Sequence, residues 1–222
     1  MSTRLAEAIS AGRTAVTQNW RPFVLIQACA VLLVAAYYLL PGAPVATAWM
    51  AELKQRGGLP FSALTTAFAG AILPEIARRI TRRQGKFDGT DLVFQLVFFA
   101  FMGVIIDLFY RFLARVIGAG TTPDIVLKKV LVDQLLFGPL VTITISATVF
   151  LWKDAGFSFR RTVEASRNGV WVARFVSLVI VCWAFWIPML VCVYAMPTNL
   201  QFCLFLCAQG AWGLLLLAMS GR

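Results

Sequence analysis

The chain has 222 residues, 60% of them hydrophobic and 14% charged, with a formal net charge of +10 and no histidine. That is more apolar side chain than a soluble core absorbs, so the excess has to face lipid. At about 20 apolar residues per crossing of a roughly 30 Å hydrocarbon layer, the length suits one all-α bundle of about six transmembrane helices.

The first twenty residues carry Arg4 and Arg13 and are rich in alanine and serine, a composition that also fits a transit peptide. The apolar run from Pro22 to Leu40 holds one polar side chain, Gln27, and ends at Pro41-Gly42. It is too long for a signal h-region and reads as a retained first span. A loop with Glu52, Lys54, Arg56, Gly57 and Gly58 is expected next. The second span then starts near Pro60, where proline is tolerated in a first turn, and runs through Ala63, Thr66, Ala67 and Gly70 towards Pro74 and Glu75.

Arg78, Arg79, Arg82, Arg83 and Lys86 form the densest basic cluster, followed by turn and cap residues from Asp88 to Asp91. The third span runs from Asp91 to about Ile117. A short loop covers Gly118 to Asp124, and the fourth span extends from about Ile125 to Trp152 with Pro139 inside it. Phe157 to Gly169, with Phe159, Arg160, Arg161 and Arg167, fits a short helix at the membrane interface. The fifth span covers Val170 to Met196 and contains Pro188; the sixth covers Leu200 to Ser220. Prolines 74, 139 and 188 are expected to kink their helices, because each removes a backbone donor.

Lysine and arginine concentrate in the N-terminus and the second and fourth loops, which puts both termini on the positive side. The basic residues flank apolar runs and build no aromatic-basic platform, so the expected partners are membrane lipids and not nucleic acid. Arg78, Arg79, Arg82, Arg83, Lys86, Arg160 and Arg161 are the expected headgroup contacts, and a second copy of the chain is a further partner to consider. The five cysteines all lie in apolar segments without a CxxC pair, which speaks for packing and against a disulfide framework or zinc site.

Charge at membrane depth costs at least about 2.5 kcal/mol per group on insertion scales, so ionisable residues inside spans mark candidate sites. These are Glu75, Asp107, Arg111 and Asp133, with Gln134 beside the last. Asp107 with Arg111, and Lys129 with Asp133, are spaced to pair along one helix face. One reading has Asp107, Arg111, Asp133 and Gln134 lining a hydrated path between the third and fourth spans, continued by Thr142, Thr144 and Ser146. The other makes them interhelical glue.

Histidine's absence removes Ser-His-Asp hydrolysis, HExxH metal chemistry and histidine-ligated haem, and no P-loop or dinucleotide fingerprint occurs. The chain is therefore read as a non-enzyme with no cofactor and no metal, although a Ser/Lys or aspartyl membrane hydrolase stays open.

From Gly120-Thr121-Thr122 through Leu127-Lys128-Lys129, Leu131, Asp133-Gln134, Phe137 and Pro139 the chain resembles the signature of the Mpv-seventeen and peroxisomal twenty-two-kilodalton membrane protein family. Upstream, where that family has a Gly-Pro, a His and a Trp-Tyr, this chain has Gly103-Val104, Asp107 and Phe109-Tyr110. Downstream, the family's Trp-Pro, Gln, Asn-Phe, Val-Pro, Arg and Trp-Asn fall on Phe185-Trp186, Met189, Cys192-Val193, Met196-Pro197, Gln201 and Trp212-Gly213. Pro60, Gly70 and Glu75 resemble its opening helix. The resemblance covers about Pro60 to Ser220 and leaves residues 1–58, with the first span, as an N-terminal extension to a family-like domain at 59–222. It implies a protein of the mitochondrial inner, peroxisomal or a related membrane, or of the plasma membrane in a bacterium. Such a protein would form a channel or small-solute pathway linked to metabolite homeostasis. The alternative is a non-transporting scaffold or lipid-interacting protein.

Overall fold

A computed structural model describes residues 2–81 and 89–220. Among these residues the fold is all-α: α1 (Ser2–Gln18), α2 (Trp20–Leu39), α3 (Ala43–Ile80), α4 (Gly89–Val116), α5 (Pro123–Asp154), α6 (Phe159–Arg167), α7 (Val170–Ala195) and α8 (Thr198–Ser220). Six of them, α2, α3, α4, α5, α7 and α8, are long and apolar enough to cross a membrane. Their outward faces carry large apolar side chains such as Leu25, Leu32, Leu64, Val97 and Leu140, which water would not tolerate in such number. The protein is an integral membrane protein.

The expected spans are recovered with one difference. Residues 43–57, read as turn and loop, are helical and continue α3 towards its N-terminus. The separation between loop and span survives as a break inside α3: Gly58 adopts φ 55°, ψ −139°, a conformation open to glycine and strained for other residues. Pro60 follows, where it lacks an N–H and disfavours a helical residue before it. Loop chemistry at Gly57-Gly58 thus produces a kink between two helical stretches, while alanines and Leu53 carry the first stretch.

The chain divides into two compact units, Met1–Phe23 with Val130–Pro188 and Val24–Lys129 with Met189–Arg222. In the first, α1 lies on α7: Ser177 donates to the Ala8 carbonyl at 2.8 Å, a Cβ on Gly12 would meet Ile180, and Arg4 donates to the Asn168 carbonyl. The N-terminal segment read as an extension thereby forms a packed helix. Phe23 meets Phe185 edge-on at 6.0 Å.

In the second unit α3 packs against α4 and α8. Ser62, Thr66 and Gly70, four apart on one face of α3, receive Gly103 and Phe99 of α4. A Cβ on Gly103 would collide with the Ser62 carbonyl oxygen and lie 2.6 Å from Thr66 Oγ1, so the two backbones are as close as glycine permits. Beyond Gly70, α8 takes over: a Cβ on Gly213 would lie 2.6 Å from Pro74 Cγ. Tyr110 closes the other end against Tyr194 and Phe205, at 5.3 and 6.0 Å between ring centroids.

Two helices contain wide turns. Residues Phe68–Ile72 of α3 and Asp133–Ile143 of α5 are π-helical, with bonds reaching five residues back. Pro139 sits in the second stretch and offers no N–H, which in that register orphans the Gln134 carbonyl. Trp183 Nε1 donates to that carbonyl at 3.1 Å.

Candidate functional site

The antiparallel approach of α3 and α4 buries Asp107 against the stretch of α3 on either side of Gly58. Its Oδ2 accepts from Lys54 Nζ at 2.8 Å, from Ser62 Oγ at 2.9 Å and from Arg111 Nη2 at 3.0 Å, and Arg111 Nε reaches Oδ1 at 3.3 Å. An unbroken helix would set Lys54 and Ser62 about 12 Å apart along its axis, at roughly 1.5 Å per residue. The kink at Gly58 and the lysine stem close that gap, so both heads reach one oxygen.

Burial sorts the members. The side chains of Lys54 and Asp107 are 10% and 5% exposed, whereas that of Arg111 is 47% exposed. Lys54 Nζ also lies 4.9 Å from the centroid of the Phe202 ring, a cation–π contact from α8. One carboxylate thus faces two cations, and the surplus positive charge is carried by the member that reaches the surface. Chemically the group presents at Arg111 a guanidinium that can hold an anion or a polar solute. Among the described residues no three His, Cys, Asp or Glu side chains gather into a group that could hold a metal.

The expected Asp107–Arg111 pair is therefore present, joined by Lys54 and Ser62, which sequence reasoning did not select. The charges around Lys54 read as a loop; the clue in the sequence is its place eight residues before Ser62, at the head of the small-residue face that ends at Gly70.

The expected Lys129–Asp133 pair does not form. Lys129 Nζ has no hydrogen-bond partner among the described residues, and Asp133 Oδ1 accepts instead from Gln134 Nε2 at 3.0 Å. Asp133 opens the π stretch, where the wider turn abandons the α-helical spacing that brings positions four apart face to face. Asp133 and Gln134, both buried, belong to the first unit, and Asp107 and Arg111 to the second.

The hydroxyls expected to continue a polar stripe bond back into their own helix: Thr142 to the Gly138 carbonyl at 3.1 Å, Thr144 to that of Pro139 at 2.7 Å and Ser146 to that of Thr142 at 2.6 Å. Glu75 lies in the last turns of α3 and accepts from Arg78 Nε and Nη2 at 2.8 and 2.9 Å and from Arg79 Nε at 2.7 Å. Pro74 lies two residues past the π turn of α3, Pro139 lies within that of α5, and Pro188 lies inside α7. Arg160 and Arg161 are exposed on α6, whose first turn is capped by Ser158. Arg82, Arg83 and Lys86 lie outside the described residues.

Comparison of the chain with family models, curated proteins and solved structures gives no match, so the cluster around Asp107 is the feature from which a function has to be argued.

Proposed function

We propose that this integral membrane protein provides a pathway for a small solute, with the Asp107 cluster as its polar element. One observation carries the reading: a buried carboxylate held by Lys54, Ser62 and Arg111 ends in a guanidinium that is half exposed. Interior charge in a membrane protein is costly and concentrates where solutes or ions pass. The resemblance of the Gly120–Pro139 segment to the Mpv-seventeen family supports the same reading. The membrane is that of a mitochondrion or peroxisome in a eukaryote, or the plasma membrane in a bacterium.

Reconstitution into liposomes tests it. The protein should give solute leak or conductance that falls when Arg111 is changed to Gln. Asp133→Asn tests the buried carboxylate of the first unit by the same readout. A protein that is correctly inserted, electrically silent and impermeable overturns the proposal.

A second reading has its own observation. Phe159 is 80% exposed beside exposed Arg160 and Arg161, a pairing of apolar anchor and cations that suits anionic lipid headgroups. A silent protein that binds anionic lipid through these residues would be the scaffold.

A further inference from the structure

We infer that the first stretch of α3, residues 43–57, is an interfacial helix whose exposed apolar strip beds into one leaflet at headgroup level, leaving residues 59–80 to cross the bilayer. α3 as a whole is 38 residues long. That is roughly 57 Å, close to twice a hydrocarbon thickness of roughly 30 Å. Counted back from Arg78 and Arg79, about 20 residues of helix fill the hydrocarbon, and the count ends at Gly57-Gly58, where the helix breaks.

The side chains before the break sort into three strips. Ala51 and Lys54 are buried; beside them the Met50 carbonyl accepts from Cys203 Sγ at 3.9 Å, and Lys54 Nζ lies 4.9 Å from the centroid of the Phe202 ring. Phe202 and Cys203 belong to the first two turns of α8, just after the turn at Pro197, so this packing holds the stretch at the end of a span. The Lys54 ammonium reaches inward from it to Asp107. Val45, Trp49 and Leu53, four apart, form an exposed apolar strip. Ala48, Glu52 and Gln55 are exposed on the opposite flank, and Glu52 pairs with Arg56 at 2.5 Å. Water does not suit the apolar strip and hydrocarbon does not suit the polar flank, whereas the boundary between them suits both. Trp49, with an apolar ring and a polar N–H, is of the residue type that concentrates at that level. A second copy of the chain fits less well, because three side chains on one strip fall short of the roughly 800 Å² per partner that a stable protein interface buries.

Nitroxide labels test the placement in the full-length protein, reconstituted in vesicles of phosphatidylcholine and phosphatidylglycerol. Cys29, Cys182 and Cys207 are changed to Ala, which leaves the buried Cys192 and Cys203 and one introduced cysteine to label. Labels go singly to positions 45, 49 and 53, to 48, 52 and 55, and to 64 and 68, which are exposed on the second stretch. Oxygen should relax the first three labels several-fold more than a water-soluble nickel chelate does, with the reverse at 48, 52 and 55. Positions 45, 49 and 53 should share one shallow depth, with 64 and 68 deeper. A first stretch running straight on along the span would instead spread 45 to 53 over about 12 Å of depth. That spread, or equal access of the chelate to both strips, overturns the inference. Labels at 45, 49 and 53 shielded from both reagents overturn it in favour of a second copy. Without labels, lipid brominated near the headgroup should quench the emission lost in Trp49→Phe more than lipid brominated near the chain end; the opposite order counts against the placement. No step depends on solute passage, so an impermeable protein with these accessibilities would refute the pathway and leave the interfacial helix standing.

Discussion

Lys54 and Asp107, 53 residues apart in the chain, meet at 2.8 Å in an interior that also receives Ser62 and Arg111. Removing one partner of such a pair strands the other charge, which costs about 3–5 kcal/mol, whereas replacing both by apolar groups is close to neutral. Asp107→Ala should therefore unfold at markedly lower temperature or denaturant concentration. The Lys54→Met/Asp107→Leu double variant should recover most of the loss. If the single and double variants are equally unstable, Lys54 and Asp107 are not energetically coupled.

At Gly103 the limiting term is space. Gly103→Ala drives a methyl into the Ser62 carbonyl and Thr66, an overpacking that costs about 1–3 kcal/mol. Gly42→Ala is the matched control, since nothing lies within 4 Å of its added Cβ. Thermal unfolding in the same detergent should separate the two variants.

Gly58 is constrained by conformation, with open space around it. Its added Cβ would come no closer than 4.0 Å to Pro60 Cδ, yet its φ of 55° is unfavourable for an L side chain. Gly58→Ala should cost about 1–3 kcal/mol and, by straightening α3, move Lys54 away from Asp107. A cysteine pair at positions 54 and 107 should accordingly cross-link less readily when Gly58 is replaced.

Trp183 supplies the donor that Pro139 lacks. Trp183→Phe keeps the ring and removes the N–H, leaving the Gln134 carbonyl short of a partner at a cost of about 1–3 kcal/mol. In Pro139→Ala, where the chain regains an N–H, the same substitution should cost less. A double-mutant cycle measures the coupling.

Glu75 is ion-paired with both Arg78 and Arg79. If Arg78 and Arg79 meet headgroups, Glu75→Gln, which removes one carboxylate from both, should strengthen association with anionic lipid by up to roughly 1 kcal/mol per arginine, about fivefold each. Binding to vesicles with and without phosphatidylserine reads the change, and the gain should shrink at high salt. Unchanged binding would argue that these arginines do not face headgroups.

The spans were legible because long apolar runs bounded by Pro, Gly and charged residues have few other outcomes. Arg111 beside Asp107 was legible because positions four apart on a helix are neighbours. Lys54 was not, since its role depends on helix continuing through Glu52, Lys54 and Arg56 up to Gly58, and charges before a Gly-Gly pair read as a loop. The Lys129–Asp133 expectation failed for a related reason: spacing rules assume α-helical rotation, and no local signal apart from Pro139 announces the π stretch. Trp183's bond to Gln134 joins positions 49 apart and has no sequence signature.

The tie between Lys54 and Asp107 also orders the making of the protein. The lysine leaves the ribosome before its carboxylate exists, so the buried pair can close only after α4 has been made. Until then a charge at membrane depth costs the first stretch of α3 at least about 2.5 kcal/mol, which favours inserting the two helices as a hairpin.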